Sequence, residues 1–163
     1  GLRRKGCRFY ESLVRVPLIF SWPAAFKQGL RSDALVELTD IVPTLLEANG
    51  MPIPDSMHGR SLMPILRGEA DPDQHRDFVR STYYRTLQGT PSCASMVRTR
   101  HHKLVNYHGH RLGELFDLER DPGEFDNRWD DPAYEAVRFE LMRSNFDAMA
   151  SAIDIGSERV ARY

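Results

Sequence analysis

Three groups of side chains in this 163-residue chain are of types that could do chemistry. Lys5 closes the basic run Arg3-Arg4-Lys5; four histidines, His101, His102, His108 and His110, fall within ten residues; and Asp117, Glu119, Asp121, Glu124 and Asp126 form an acidic series. An ammonium is a compact, strongly hydrated charge that can meet a tetrahedral anion. Imidazoles two apart on an extended strand share one face, as a metal site wants. Carboxylates at alternate positions are what a calcium loop uses.

Each group also has a plain structural reading. A lysine in a basic run is ordinarily a solvated surface charge. The histidines have no cysteine or carboxylate beside them at ligand spacing, and His108-Gly-His110 reads as a hairpin tip, so the expectation is ordinary surface or turn histidines, one of which could line a pocket rim. The acidic series fails the calcium-loop test because Pro122 stands where the sharp turn needs glycine. A strand end followed by a Pro-Gly turn, with carboxylates solvated or bonded to turn amides, accounts for it. Cys7 and Cys93 form neither a disulfide framework nor a metal pair, and with the absence of Asn-x-Ser/Thr acceptors they leave the compartment open, bacterial cytoplasm or periplasm being the expectation.

The elements that must position these groups divide at the polar stretch Arg67-Gly-Glu-Ala-Asp-Pro-Asp-Gln-His75. Before it, Val14 to Phe20 is a short apolar run that predicts a buried strand, with Pro17 marking an edge or an end. Leu38, Ile41, Val42, Leu45 and Leu46 recur at helical spacing, with Thr39 or Asp40 as cap, Pro43 in the first turn and Asn49-Gly50 as the stop. Ser61 to Leu66 adds a helical turn.

After the linker, Phe78 to Arg85, Ser95 to Arg100, Lys103 to Tyr107 and Glu114 to Leu118 predict a small antiparallel sheet. Asp131-Pro132 then caps a long helix whose expected core stripe is Tyr134, Val137, Leu141, Phe146, Met149 and Ile153.

The balance of 22 basic and 23 acidic residues gives a formal charge of -1, so any anion must be held by a local site. That balance argues against a nucleic-acid surface built on Tyr83-Tyr84 with Arg98, Arg100, Lys103 and Arg111. No apolar stretch approaches the length needed to span a bilayer, so no membrane role is expected. No targeting segment is legible at the start, and the chain reads as the interior of a longer one.

Four blocks in order resemble the C-terminal portion of the sulfatase family, within the alkaline-phosphatase-like superfamily. They are Lys5-Gly-Cys-Arg-Phe-Tyr-Glu11 before Arg15-Val-Pro-Leu-Ile-Phe20; Leu38-Thr-Asp-Ile-Val-Pro-Thr-Leu-Leu46; His58-Gly-Arg-Ser-Leu62 with Leu66-Arg-Gly68; and Lys103-Leu-Val with Gly113-Glu-Leu-Phe-Asp-Leu-Glu-Arg-Asp-Pro-Gly-Glu-Phe-Asp-Asn127. The resemblance implies an α/β fold: residues 1–70 end an alkaline-phosphatase-like α/β domain, and 71–163 form a small α+β subdomain. It implies hydrolysis of small-molecule sulfate monoesters, with a formylglycine hydrate attacking sulfur while Ca2+ or another divalent cation polarises the sulfate oxygens.

Lys5 sits where the family's active-site lysine would, so the resemblance implies a sulfate-binding, transition-state-stabilising role for it. Neither cysteine is followed by the x-Pro-x-Arg context of the nucleophile, so nucleophile and metal ligands are expected upstream of Gly1 and the chain alone is expected to be inactive. A tetrahedral anion with one leaving group can also be a phosphonate monoester or a phosphodiester, and Lys5 does not discriminate between them. A non-catalytic scaffold module is the reading of another class. Natural substrate, metal identity and oligomeric state are open on these residues.

Overall fold

A computed structural model of the chain describes residues 8–84 and 93–152. These fall into two compact units, 8–18 with 78–147 and 19–77 with 148–152.

The first unit is built on a four-stranded antiparallel sheet in the order β1 (Val79–Tyr84), β2 (Cys93–Arg98), β3 (His102–Tyr107), β4 (Leu112–Asp117). Each strand was legible as a short segment between polar or glycine-containing turns, and the ladders run Ser81 opposite Met96, Met96 opposite Val105, and Val105 opposite Glu114. His108 to Arg111 make the β3–β4 turn, with Gly109 at φ 79°, a left-handed conformation that glycine adopts without a Cβ penalty.

Because side chains alternate along a strand, one sheet has two faces, and both are covered. On one, Val97, Leu104 and Leu115 pack with Leu141 of the long helix α4 (Glu135–Ser151), joined by Phe78, Trp129, Tyr134 and Val137. The other face presents Ala94, Met96 and Val105, which pack with Phe9, Val14, Tyr83 and Tyr107. An antiparallel sheet under a C-terminal helix is the expected architecture; the second cover, by the segment around Phe9, was not expected.

Two local expectations are corrected. Glu11–Val14 is a single helical turn, α1, and 15–20 joins no ladder, so Val14 to Phe20 is not a strand in this chain. A strand exists through its partner: among the described residues none pairs with this run, Pro17 has no N–H to offer, and Ile19 is 86% exposed. On α4 the buried face runs through Leu141 and Asn145, not Phe146, which is 71% exposed. Asn145 wins the inner position because its Nδ2 donates to the buried Ser95 Oγ at 2.6 Å, and Ser95 Oγ in turn meets His108 Nε2 at 2.8 Å. Ile153 and Arg85 lie outside the described residues.

In the second unit, a 3-10 turn at Leu38–Asp40 leads into α2 (Ile41–Ala48), with Asp40 as cap, Pro43 in the first turn and the chain leaving through Asn49 and a left-handed Gly50. A further short helix, α3, covers Met63–Arg67 and ends on left-handed Gly68.

Candidate functional site

Lys5 and Cys7 lie outside the described residues. From Arg8 onward, four consecutive side chains are seated on the sheet. Arg8 Nη1 donates to Tyr107 Oη at 2.8 Å and pairs with Glu114 at 3.3 Å. Phe9 enters the core, 5% exposed, and stacks on Tyr83 with ring centres 5.4 Å apart. Tyr10 lies against Phe116 with ring centres 6.2 Å apart. Glu11 reaches the charged cluster at the centre of this face.

That cluster is organised by Lys103, which has no exposed surface. Its Nζ donates to Phe9 O at 2.9 Å and to Glu124 Oε1 at 2.7 Å, and lies 2.6 Å from Glu11 Oε1. An ammonium has three N–H groups, and here there are three acceptors for them. Glu124 Oε2 accepts the Glu11 backbone N–H at 2.6 Å, and Arg98 Nε approaches Glu11 Oε1 at 3.4 Å. Two carboxylates face two cations, so the pocket holds no surplus charge. Burial by itself pushes the Glu11 carboxyl up, but the hydrogen bond and charge of Lys103, with Arg98, bring it net below the usual carboxylate range. Burial likewise pushes the neighbouring Tyr107 phenol up, to about 12, so it stays a neutral partner for Arg8.

Glu124 is also the one non-glycine residue at positive φ among the described residues, 57°. A side chain in that region costs about 1–3 kcal/mol and persists where its surroundings over-determine it. Here Lys103 and the Glu11 amide do so.

The histidines do not converge. His101 pairs with exposed Glu119 at 2.6 Å; His102 sets its ring edge-on to Tyr134; His108 meets Ser95; and His110 is in the turn. The acidic series serves its own turn: Asp117 Oδ1 accepts the Glu119 and Arg120 amides at 3.2 Å, and Asp121 Oδ2 accepts the Asp126 amide at 2.7 Å. A hydrogen bond from Tyr134 above all holds the Asp117 carboxyl below its usual value, helped by those amides. Among the described residues no group of three or more His, Cys, Asp or Glu side chains could hold a metal ion.

The second unit has its own buried charge, Asp40, with no exposed surface. Its Oδ1 accepts the Arg60 amide at 2.8 Å and a contact from Arg76 Nη2, and its Oδ2 accepts the Glu37 amide at 2.8 Å. Arg76 Nη1 also reaches Glu37 at 2.9 Å, and His75 Nε2 faces Asp40 Oδ2 at 3.4 Å. One helical turn further on, Thr44 Oγ1 accepts the Leu62 amide at 2.9 Å. A Cβ on Gly59 would fall 1.9 Å from the Thr39 carbonyl oxygen, so only glycine fits between. The blocks Leu38 to Leu46 and His58 to Leu62 are thus two sides of one hydrogen-bonded joint.

Lys103, Glu11, Glu124 and Asp40 were missed as site-building residues. A signal was present for the first: alternation along β3 puts Lys103 on the face of Val105 and Tyr107, inside the sheet's packing.

The fold and these blocks define a class before they define a family. Among solved structures, the chain superposes on a protein in complex with its substrate D-glucosamine-2-N,6-O-disulfate, with TM-score 0.72, 26% identity and coverage of 85% of this chain and 29% of that one. It also superposes on the phosphonate monoester hydrolase of Silicibacter pomeroyi, with TM-score 0.64, 27% identity and coverage of 82% and 28%. Both likenesses place it in the alkaline-phosphatase-like fold of sulfatases and phosphonate hydrolases.

Residues 5–151 match the family model for the C-terminal part of N-sulphoglucosamine sulphohydrolase, and the chain belongs to that sulfatase family. It is 33% identical over 138 residues to a Δ4,5-hexuronate-2-O-sulfatase of Bacteroides thetaiotaomicron, covering 83% of this chain and 28% of that protein. To human arylsulfatase K it is 33% identical over 126 residues, covering 72% and 23%. The chain therefore spans well under half the length of these relatives. Among the described residues no helix is long and apolar enough to cross a membrane.

Proposed function

We propose that the protein containing this chain hydrolyses sulfate monoesters of small molecules, sulfated sugars among them, and that Lys5 binds the sulfate and stabilises charge on the leaving oxygen. The observation that carries this reading is the family match from residue 5 to residue 151, together with relatives that act on sulfated sugars by name. Among the described residues no group of three or more His, Cys, Asp or Glu side chains fits a divalent metal. A formylglycine nucleophile and Ca2+ or another divalent cation would be supplied by the remainder of the whole protein, the metal giving charge stabilisation at the sulfate oxygens. Residues 1–70 complete its α/β domain, 8–14 also being seated on the sheet, and the chain alone turns nothing over.

Lys5 fits this role because charge develops on both the sulfate and the departing alkoxide, and a compact ammonium can meet oxygens of both. The solved phosphonate monoester hydrolase with a similar fold favours a second reading, hydrolysis of phosphonate monoesters or phosphodiesters. Turnover of an aryl sulfate and an aryl phosphonate by the complete protein separates the two. The sulfatase reading predicts a higher kcat/KM for the sulfate, and a loss on the order of a hundredfold or more on Lys5→Ala. Preference for the phosphonate would replace it, and turnover of neither would remove it.

A further inference from the structure

We infer that Lys103, with Glu11 and Glu124, is a positioning residue for the reaction: the small sheet anchors residues 8–11, the stretch that follows shortly after Lys5 in the sequence. The inference rests on the role proposed for Lys5.

Lys5 and Phe9 are four steps apart along the chain, at most about 14 Å when fully extended. The first described residues after it are held to the sheet one after another. Arg8, Phe9, Tyr10 and Glu11 each have a partner on the sheet, and these partners come from all four strands: Tyr83, Ala94 and Met96, Lys103 and Tyr107, and Glu114 and Phe116. At the centre, Lys103 grips the main chain itself through Phe9 O, and Glu124 grips it through the Glu11 amide. Main-chain grips fix where a segment lies, not merely which side chains touch it.

The construction is costly in ways that packing alone does not require. A buried lysine with its two carboxylates, spanning 94 residues of sequence, is together no better for stability than well-packed hydrophobic residues in all three places, since desolvation consumes most of the ion-pair gain. Glu124 is held at a positive φ that a residue in a free turn would avoid. An apolar contact could slide by part of an ångström; two directed hydrogen bonds and a 2.6 Å ion pair from one ammonium resist that, and displacement of a catalytic group by about 1 Å can cost a hundredfold in rate. The sheet is in this account the base on which the lysine-bearing segment is registered, in addition to any part it has in shaping a pocket.

The test uses the complete protein and a sulfate ester that it turns over, with kcat, KM and thermal unfolding measured for Lys103→Met, Glu124→Gln, Lys5→Ala and Leu141→Ala. Glu124→Gln is the milder variant, keeping size and one acceptor but losing the charge and the Glu11 amide contact. Leu141→Ala destabilises the same unit from the opposite face of the sheet.

Lys103→Met and Glu124→Gln are expected to lower kcat by roughly ten- to a hundredfold with KM changed far less, while folded Leu141→Ala keeps the kcat of the parent. If Lys103→Met does not fold, Glu124→Gln decides. Unchanged kcat in a folded Glu124→Gln or Lys103→Met, with Lys5→Ala inactive, overturns the positioning role and leaves the Lys5 reading standing. Full activity of Lys5→Ala removes both.

Discussion

In one unit the buried charge is a lysine, and in the other it is an aspartate. Lys103 meets a main-chain carbonyl and two carboxylates far apart in the sequence; Asp40 meets two main-chain amides, Arg76 and the Nε2 of His75. The contrast follows from what each atom type can do. An ammonium can only donate, so it gathers oxygens and can seize a passing carbonyl; a carboxylate can only accept, so it gathers amides and closes turns. Asp40 staples segments at most 36 residues apart and organises the start of its own helix. Lys103 reaches across 94 residues to a segment that makes no ladder. The aspartate cluster is local architecture, and the lysine cluster joins the sheet to what precedes it.

The largest effect should come from breaking the lysine side. Lys103→Met leaves Glu11 and Glu124 facing each other without their shared cation and should cost about 3–5 kcal/mol in urea unfolding. Combining it with Glu124→Gln should cost less than the sum of the two, because the second change removes a carboxylate the first left unpaired. A smaller loss, about 1.5–3 kcal/mol, is expected for Asp40→Asn, which keeps one acceptor for an amide but leaves Arg76 with Glu37 as its remaining carboxylate. If the order of these two were reversed, the distinction between a long-range clamp and a local staple would fail.

The smallest and sharpest test is pH. Glu11 has a folded value below its ordinary one, so its contribution is complete above about 4.3 and is lost as pH falls through the lowered value. His75 is also lowered, burial being the main cause and Asp40 opposing it. For a histidine the sign gives an earlier onset: the unfolded chain takes up the proton first, so stability is complete above about 6.5 and declines as pH falls below it. Urea midpoints measured between pH 7 and pH 3 should therefore decline in two stages. His75→Gln should flatten the upper stage and Glu11→Gln the lower; a decline that neither substitution alters would contradict both assignments.

Much of this fold was legible because its signals are local. Strands β1 to β4 are short strand-like segments set off by polar or glycine-containing turns, and α2 carries its cap, first-turn proline and glycine stop within ten residues of one another. What was not legible depended on distant partners. The run Val14 to Phe20 has strand composition but finds no neighbour among the described residues. Phe146 fits an apolar stripe better than Asn145, yet Asn145 lies inward because a buried hydroxyl on β2 needs its amide. Lys103 looked like a surface cation although its place in the alternation put it on the core face, since nothing nearby in sequence announces Glu11. Lys5 was legible only through the resemblance of its surroundings, as its residue type in a basic run points to solvent.

A double-mutant cycle on kcat in the complete protein, pairing Lys5→Ala with Lys103→Met or, where that variant does not fold, with Glu124→Gln, tests the connection between sheet and lysine most directly. If the cluster acts by placing Lys5, the double variant should be hardly slower than Lys5→Ala alone, because a misplaced group that is already absent costs nothing more. If the two losses multiply in full, the cluster affects the reaction by a route other than Lys5, and the account of the sheet as the base for that segment is wrong.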